Sequence, residues 1–112
     1  MAEQTFILRV LFIKTGEVWA AQCIDYDIAA QGDSVREAKR AFEKAIIGQI
    51  LFDIKRGLQP LSQFKPAPEA YRRKFEEGEQ LADNAPLELP ESISGIPPAF
   101  MINHISKDLR IW

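Results

Sequence analysis

The sequence predicts an α+β fold: a β-β-β-α antiparallel meander with one long helix laid across a face. Three observations carry that expectation. Two apolar runs, residues 6–13 (FILRVLFI) and 18–24 (VWAAQCI), flank the Gly-containing stretch Lys14-Thr15-Gly16-Glu17, which suits a hairpin turn. A shorter third run at 28–31 is closed by Gly32. From Val35 onward the apolar positions follow a helical period instead of a strand period. A second helix, an extended proline-rich arm and a late strand follow this core.

In the first strand Phe6, Leu8, Val10 and Phe12 share one face, and Ile7, Arg9, Leu11 and Ile13 the other. Both faces are mostly apolar, so cover on two sides is expected. In the second strand Val18, Ala20, Gln22 and Ile24 oppose Trp19, Ala21 and Cys23. Asp25-Tyr26-Asp27 breaks the apolar run before the third strand.

Residues 25–38 (DYDIAAQGDSVREA) mark where a strand stops and the long helix starts. Asp33 and Ser34 are both good N-cap residues, and Glu37 lies three after Ser34, which makes a capping box. Asp27, Gly32, Asp33, Ser34 and Glu37 are therefore assigned to a structural corner.

The helix is expected over 35–56, about 33 Å long. Its first half has a clean apolar stripe of Val35, Ala38, Ala41, Phe42, Ala45 and Ile46. In its second half Ile47, Ile50, Leu51, Ile54 and then Leu58 fall on the side that was polar earlier. That half should be buried on two sides, by the chain's own C-terminal part or by another subunit. Gly48 between the halves suggests close packing or a kink, and Gly57 is a helix terminator.

Residues 58–68 read as a loop with prolines at 60, 66 and 68. Residues 69–81 read as a second helix lying on a surface, with Tyr71, Phe75 and Leu81 inward. Residues 84–98 carry four prolines and should be extended. Residues 99–105 have strand character, able to pair with the meander's edge within one chain or between two. The whole, 1–112, is expected to be one domain, with 1–57 as the β-β-β-α core and 58–112 as helix, arm and strand.

Composition narrows the classes. Net charge is −2 and the calculated pI about 5.4, without the basic footprint of a nucleic-acid binder. One cysteine and one histidine make neither an internal disulfide nor a four-ligand zinc site of the familiar kinds. No basic leader precedes the first apolar run, which Arg9 interrupts, and no run approaches a membrane span. A reduced cytoplasmic protein is expected.

Three sets of residues invite chemistry. Asp25, Asp27 and Asp33 would serve a metal-dependent nuclease if they converged, but the first strand supplies no acid, and turn and cap roles account for all three. Cys23 and His104 form only an arithmetical pair. Arg72, Arg73 and Lys74 lie among Glu69, Glu76, Glu77 and Glu79, as on a solvated helix face. Aromatic residues offer a binding reading instead. If the helix covers the Val18 face, Trp19 is exposed unless a partner covers it. A partner or oligomer interface is assigned to Trp19, Tyr26, Ile47, Ile50, Leu51 and Ile54; no catalytic, cofactor or metal residue is assigned.

Residues 16–46 (GEVWAAQCIDYDIAAQGDSVREAKRAFEKAI) resemble the N-terminal domain of HicB-type antitoxins. The likeness covers about residues 5–50. Trp19, Gly32-Asp33-Ser34 and Glu37-Ala38 stand where that family has an aromatic second strand, a Gly-Asp-Ser/Thr helix start and a Glu-Ala pair. The resemblance implies a partial ribonuclease-H-like unit that binds and silences a small HicA-type RNA-cleaving toxin. It also implies, in many members, a C-terminal DNA-binding domain, for which nothing after residue 57 supplies a pattern. The expected function is a non-enzymatic, self-associating protein-binding module with a small basic toxin as partner. The alternatives are a metal-dependent nuclease and a solitary homo-oligomeric domain that binds an unrelated protein.

Overall fold

The computed structural model describes residues 4–81, 87 and 102–112. The chain runs β1 (Gln4–Thr15), β2 (Val18–Cys23), β3 (Ala29–Gly32), α1 (Val35–Lys55), α2 (Glu69–Glu77), β4 (Glu79–Gln80) and β5 (Ile102–Ile111). The fold is α+β, with a five-stranded mixed sheet in the order β3-β2-β1-β5-β4. β1 pairs antiparallel with β2, and β2 with β3. β5 pairs parallel with β1 and antiparallel with the short β4. The late strand thus adds to the free side of β1 within one chain, and the sheet is not purely antiparallel.

The period-two pattern of β1 sets the two layers. Leu8, Val10 and Phe12 face α1 and are fully buried, together with Ala21 and Cys23 of β2 and Leu109 of β5. Ala38, Phe42, Ile46, Ile50 and Ile54 of α1 close that core from above. Burying each of the larger side chains contributes about 1.5–3 kcal/mol. On the opposite face Leu11 and Ile24 pack against Phe75 of α2, with Ile13 and Tyr71 beside them. The central strand is therefore covered on both sides over its middle, as its doubly apolar pattern requires. Ile7, outside that cluster, stays 64% exposed.

Four expectations need correction. The late strand runs to Ile111, not only to residue 105. Charges at Lys107, Asp108 and Arg110 disguise its second half. Asp108 and Arg110 alternate with Leu109 and Ile111, and buried Lys107, on the same face as Leu109, is paired with Glu43 of α1. The second helix ends at Glu77; Gly78 is its C-cap, and the chain turns into β4. Gly48 marks neither a kink nor close packing. The helix runs through it, the residue is exposed, and a Cβ there would meet nothing within 4 Å. Glycine at such a site weakens the helix by about 1 kcal/mol relative to alanine.

The fourth correction concerns Trp19. The helix covers the Trp19–Ala21–Cys23 face, because Trp19 pairs with Lys14 and Cys23 with Val10 in the β1–β2 register. Trp19 is half-buried against the main core, and Val18 is the exposed neighbour. The proline-rich stretch over 84–98 lies outside the described residues apart from Leu87, which is buried in the main core.

Gly57 does end α1, with φ +71°. The N–H of Gly57 donates to the Ile54 carbonyl at 3.0 Å and that of Leu58 to the Asp53 carbonyl at 2.9 Å, satisfying the last turn.

Candidate functional site

The corner between β2, β3 and α1 holds most of the residues singled out by sequence. Its acids are engaged by different partners. Asp25 Oδ2 accepts from the Arg9 backbone N–H at 2.8 Å, and its Oδ1 accepts from Arg9 Nε at 3.0 Å and from the terminal guanidinium nitrogen at 2.6 Å. That fork-like pairing raises the Arg9 pKa, first through the hydrogen bond from Arg9 to Asp25, so the cation is secure. Asp27 Oδ1 accepts from Gln22 Nε2 at 2.9 Å, while its backbone N–H donates to the Lys65 carbonyl at 2.7 Å. Asp33 is exposed at the helix start. Among the described residues no group of three or more His, Cys, Asp or Glu side chains is placed to hold a metal ion.

The helix start shows why the capping motif is written as it is. Ser34 has extended dihedrals and its Oγ accepts from the Glu37 N–H at 3.1 Å. Glu37 Oε2 reaches back past the cap to accept from the Asp33 N–H at 3.0 Å. The reciprocal pair of the capping box is present, shifted by one residue on its return leg. Gly32 is needed for space: a Cβ there would lie 2.4 Å from the Ala38 nitrogen and 2.6 Å from the Glu37 carbonyl carbon. β3 can approach the first turn of α1 only because position 32 has no side chain.

The aromatic and thiol groups belong largely to the core. Tyr26 is half-buried, with its ring centroid 6.3 Å from that of Phe6. Burial first, and the Asp25 charge second, push its phenol pKa up. Cys23 is fully buried, and desolvation pushes its thiol up to about 11, so it stays protonated at neutral pH and is a poor nucleophile. The side chain of His104 lies outside the described residues. Arg72 and Arg73 are exposed on α2, and Lys74 lies over the Trp112 ring at 4.3 Å.

Of the residues assigned to an interface, Ile50 and Ile54 are buried in the chain's own core and present no surface. Ile47 and Leu51 are half-buried, and Phe52 beside them is 52% exposed. Part of the cover for this end of α1 is the chain's own loop: Leu61 and Phe64 pack in the same core cluster.

Sequence reasoning missed Asp53. It is 1% exposed, its Oδ2 accepts from the Leu61 N–H at 2.8 Å and its Oδ1 from Gln49 Nε2 at 2.9 Å. It holds the loop that carries Leu61, whose φ is +63°. The Lys107–Glu43 and Arg9–Asp25 pairs were missed too. A charge inside an otherwise apolar strand is the available signal, since burial of a charge demands a partner.

Comparisons of the chain with protein-family models, with curated proteins and with solved structures found no match.

Proposed function

We propose that this chain is a non-enzymatic, HicB-like protein-binding module of partial ribonuclease-H-like ancestry. In this reading it self-associates and neutralises a small basic RNA-cleaving toxin of the HicA type. The observation that carries the reading is the division of labour at the surface. The corner acids serve the fold, with Asp25 on Arg9 and Asp27 on Gln22, while apolar Ile7 stands 64% exposed. The residues behind the resemblance, Trp19, Gly32-Asp33-Ser34 and Glu37, support it by sitting together at one strand-to-helix junction. Trp19, Tyr26, Ile47 and Leu51 keep partial surface and remain in the proposed interface.

Two measurements test it. Light scattering on the purified chain at micromolar concentration should give more than one protomer, and a clean monomer removes the self-association. Co-expression with a short, basic neighbouring reading frame should relieve that product's toxicity and yield a stable complex. Metal-dependent RNA cleavage by the chain itself, lost on changing Asp25, Asp27 and Asp33 to alanine, would replace the binding reading with the nuclease.

A further inference from the structure

One row of α1 stands apart from the rest of the molecule. Arg36, Arg40, Lys44, Gly48, Phe52 and the C-cap Arg56 follow one another at intervals of four, and every one is exposed. Such a row forms a surface ridge, with successive members about 6 Å apart along the axis. It carries four cations and no acid. The acids on adjoining rows are engaged: Glu37 caps the helix start and Glu43 pairs with Lys107. Among the described residues no ion pair involves Arg36, Arg40 or Lys44, and the Arg56 guanidinium lies over the Phe52 ring at 5.3 Å.

Several of these choices weaken the fold. Like charges one turn apart oppose a helix. An exposed mid-helix glycine does too, and nothing around Gly48 requires the missing side chain. An aromatic ring half in water adds no packing. Local rules broken together without a return in stability mark a surface kept for another purpose.

We propose that this ridge docks an acidic amphipathic helix of a partner protein. Crossed helices approach most closely over a short central stretch, where the side chains set the interaxial distance and a small residue allows the closest crossing. Gly48, next to exposed Ala45, provides that crossing point at mid-ridge. Arg40 and Lys44 on one side and Arg56 on the other then meet carboxylates on the partner, with Phe52 against its apolar stripe. The same ridge of a second copy does not fit, because Arg40 would face Arg56 in an antiparallel crossing and its own counterpart in a parallel one. A nucleic-acid strand would use the cations but has no need of the notch. The inference is independent of the antitoxin reading, whose basic partner would be repelled here and must engage another face.

Fluorescence anisotropy with the full chain at low salt decides the matter. Three labelled probes are used: a helical peptide with an Ala/Leu stripe flanked by Glu, the same peptide with Lys for Glu, and a short single-stranded RNA. The acidic peptide should bind saturably and the other two should not. Arg40→Glu with Lys44→Glu, and separately Gly48→Leu, should each weaken it about tenfold or more. Gly48→Leu should meanwhile leave the melting temperature equal or higher, which separates lost docking from lost folding. Absence of saturable acidic-peptide binding, equal binding of the two peptides, or RNA binding indifferent to Gly48→Leu would each overturn the proposal.

Discussion

Gly32→Ala and Gly48→Ala are the same substitution in one chain, and they should act in opposite directions. At position 32 the new Cβ would lie 2.4 Å from a backbone nitrogen of α1, about 1 Å inside ordinary contact. Backbone cannot rotate aside, so the first helical turn must retreat from β3. Overpacking of this kind typically costs about 1–3 kcal/mol. The retreat also strains the Ser34–Glu37 and Asp33–Glu37 cap bonds at 3.1 and 3.0 Å, a further loss of roughly 0.5–2 kcal/mol. The stiffer unfolded chain returns about 0.4–1 kcal/mol. At the middle of these ranges a net loss of about 2–3 kcal/mol remains. At roughly 2 cal/mol/K of unfolding entropy per residue, that lowers Tm by about 8–12 °C. At position 48 only the helix-propensity gain operates, so stability should rise by about 1 kcal/mol and Tm by about 4 °C. Urea titration and thermal melts followed by circular dichroism measure both. A Gly32→Ala protein that melts within about 2 °C of the parent would rule out the clash, and a Gly48→Ala protein that melts lower would rule out an open site at 48.

Three further outcomes are expected. Glu43→Gln leaves the Lys107 ammonium buried without its counter-charge and should cost roughly 1–3 kcal/mol; adding Lys107→Met should recover much of it, as a double-mutant cycle in urea will read. Asp53→Ala should cost roughly 1–3 kcal/mol and open residues 58–64 to proteolysis, whereas Asp53→Asn should lose less, because the Gln49 amide can turn over to accept. Cys23 ties stability to alkaline pH. Its thiol stays protonated in the folded chain up to about 11 but ionises near 9 once unfolded. Stability is therefore undiminished below pH 9 and falls by roughly 2–3 kcal/mol as pH rises through 11. Cys23→Ala should flatten that slope in denaturation curves between pH 8 and 11, and an unchanged slope would contradict it.

What could be read without the structure was what short-range chemistry dictates. The β1 pattern, the Gly16 turn, the Ser34 cap and the Gly57 stop depend on neighbours within a few residues, and each appears close to where it was expected. The end of α2 failed because Gly78 interrupts a helix-like composition that carries on to Leu81. The second half of β5 failed for a different reason. Lys107 finds its counter-charge on α1, and Arg110 reaches the Phe75 carbonyl and ring on α2, both far away in sequence, and only such partners make a charged segment acceptable inside a sheet. The corner residues are close in sequence, and Gly32 and Glu37 meet at the β3–α1 junction. Asp53 was invisible because its partner Leu61 lies beyond the helix end, in a loop whose course no local pattern encodes.

An α+β chain with a strand–strand–strand–helix beginning follows from the residues alone, since periodicity and capping are local. So does the cation row of α1, since residues four apart share a face in any helix. Which face of β2 the helix covers, and with it the partial burial of Trp19, depends on the packed fold. So do the parallel placement of β5 beside β1 and the need for space at Gly32. Both faces of β2 carry apolar residues, so the choice between them rests on long-range packing against β1 and α1, and one strand's pattern cannot express it.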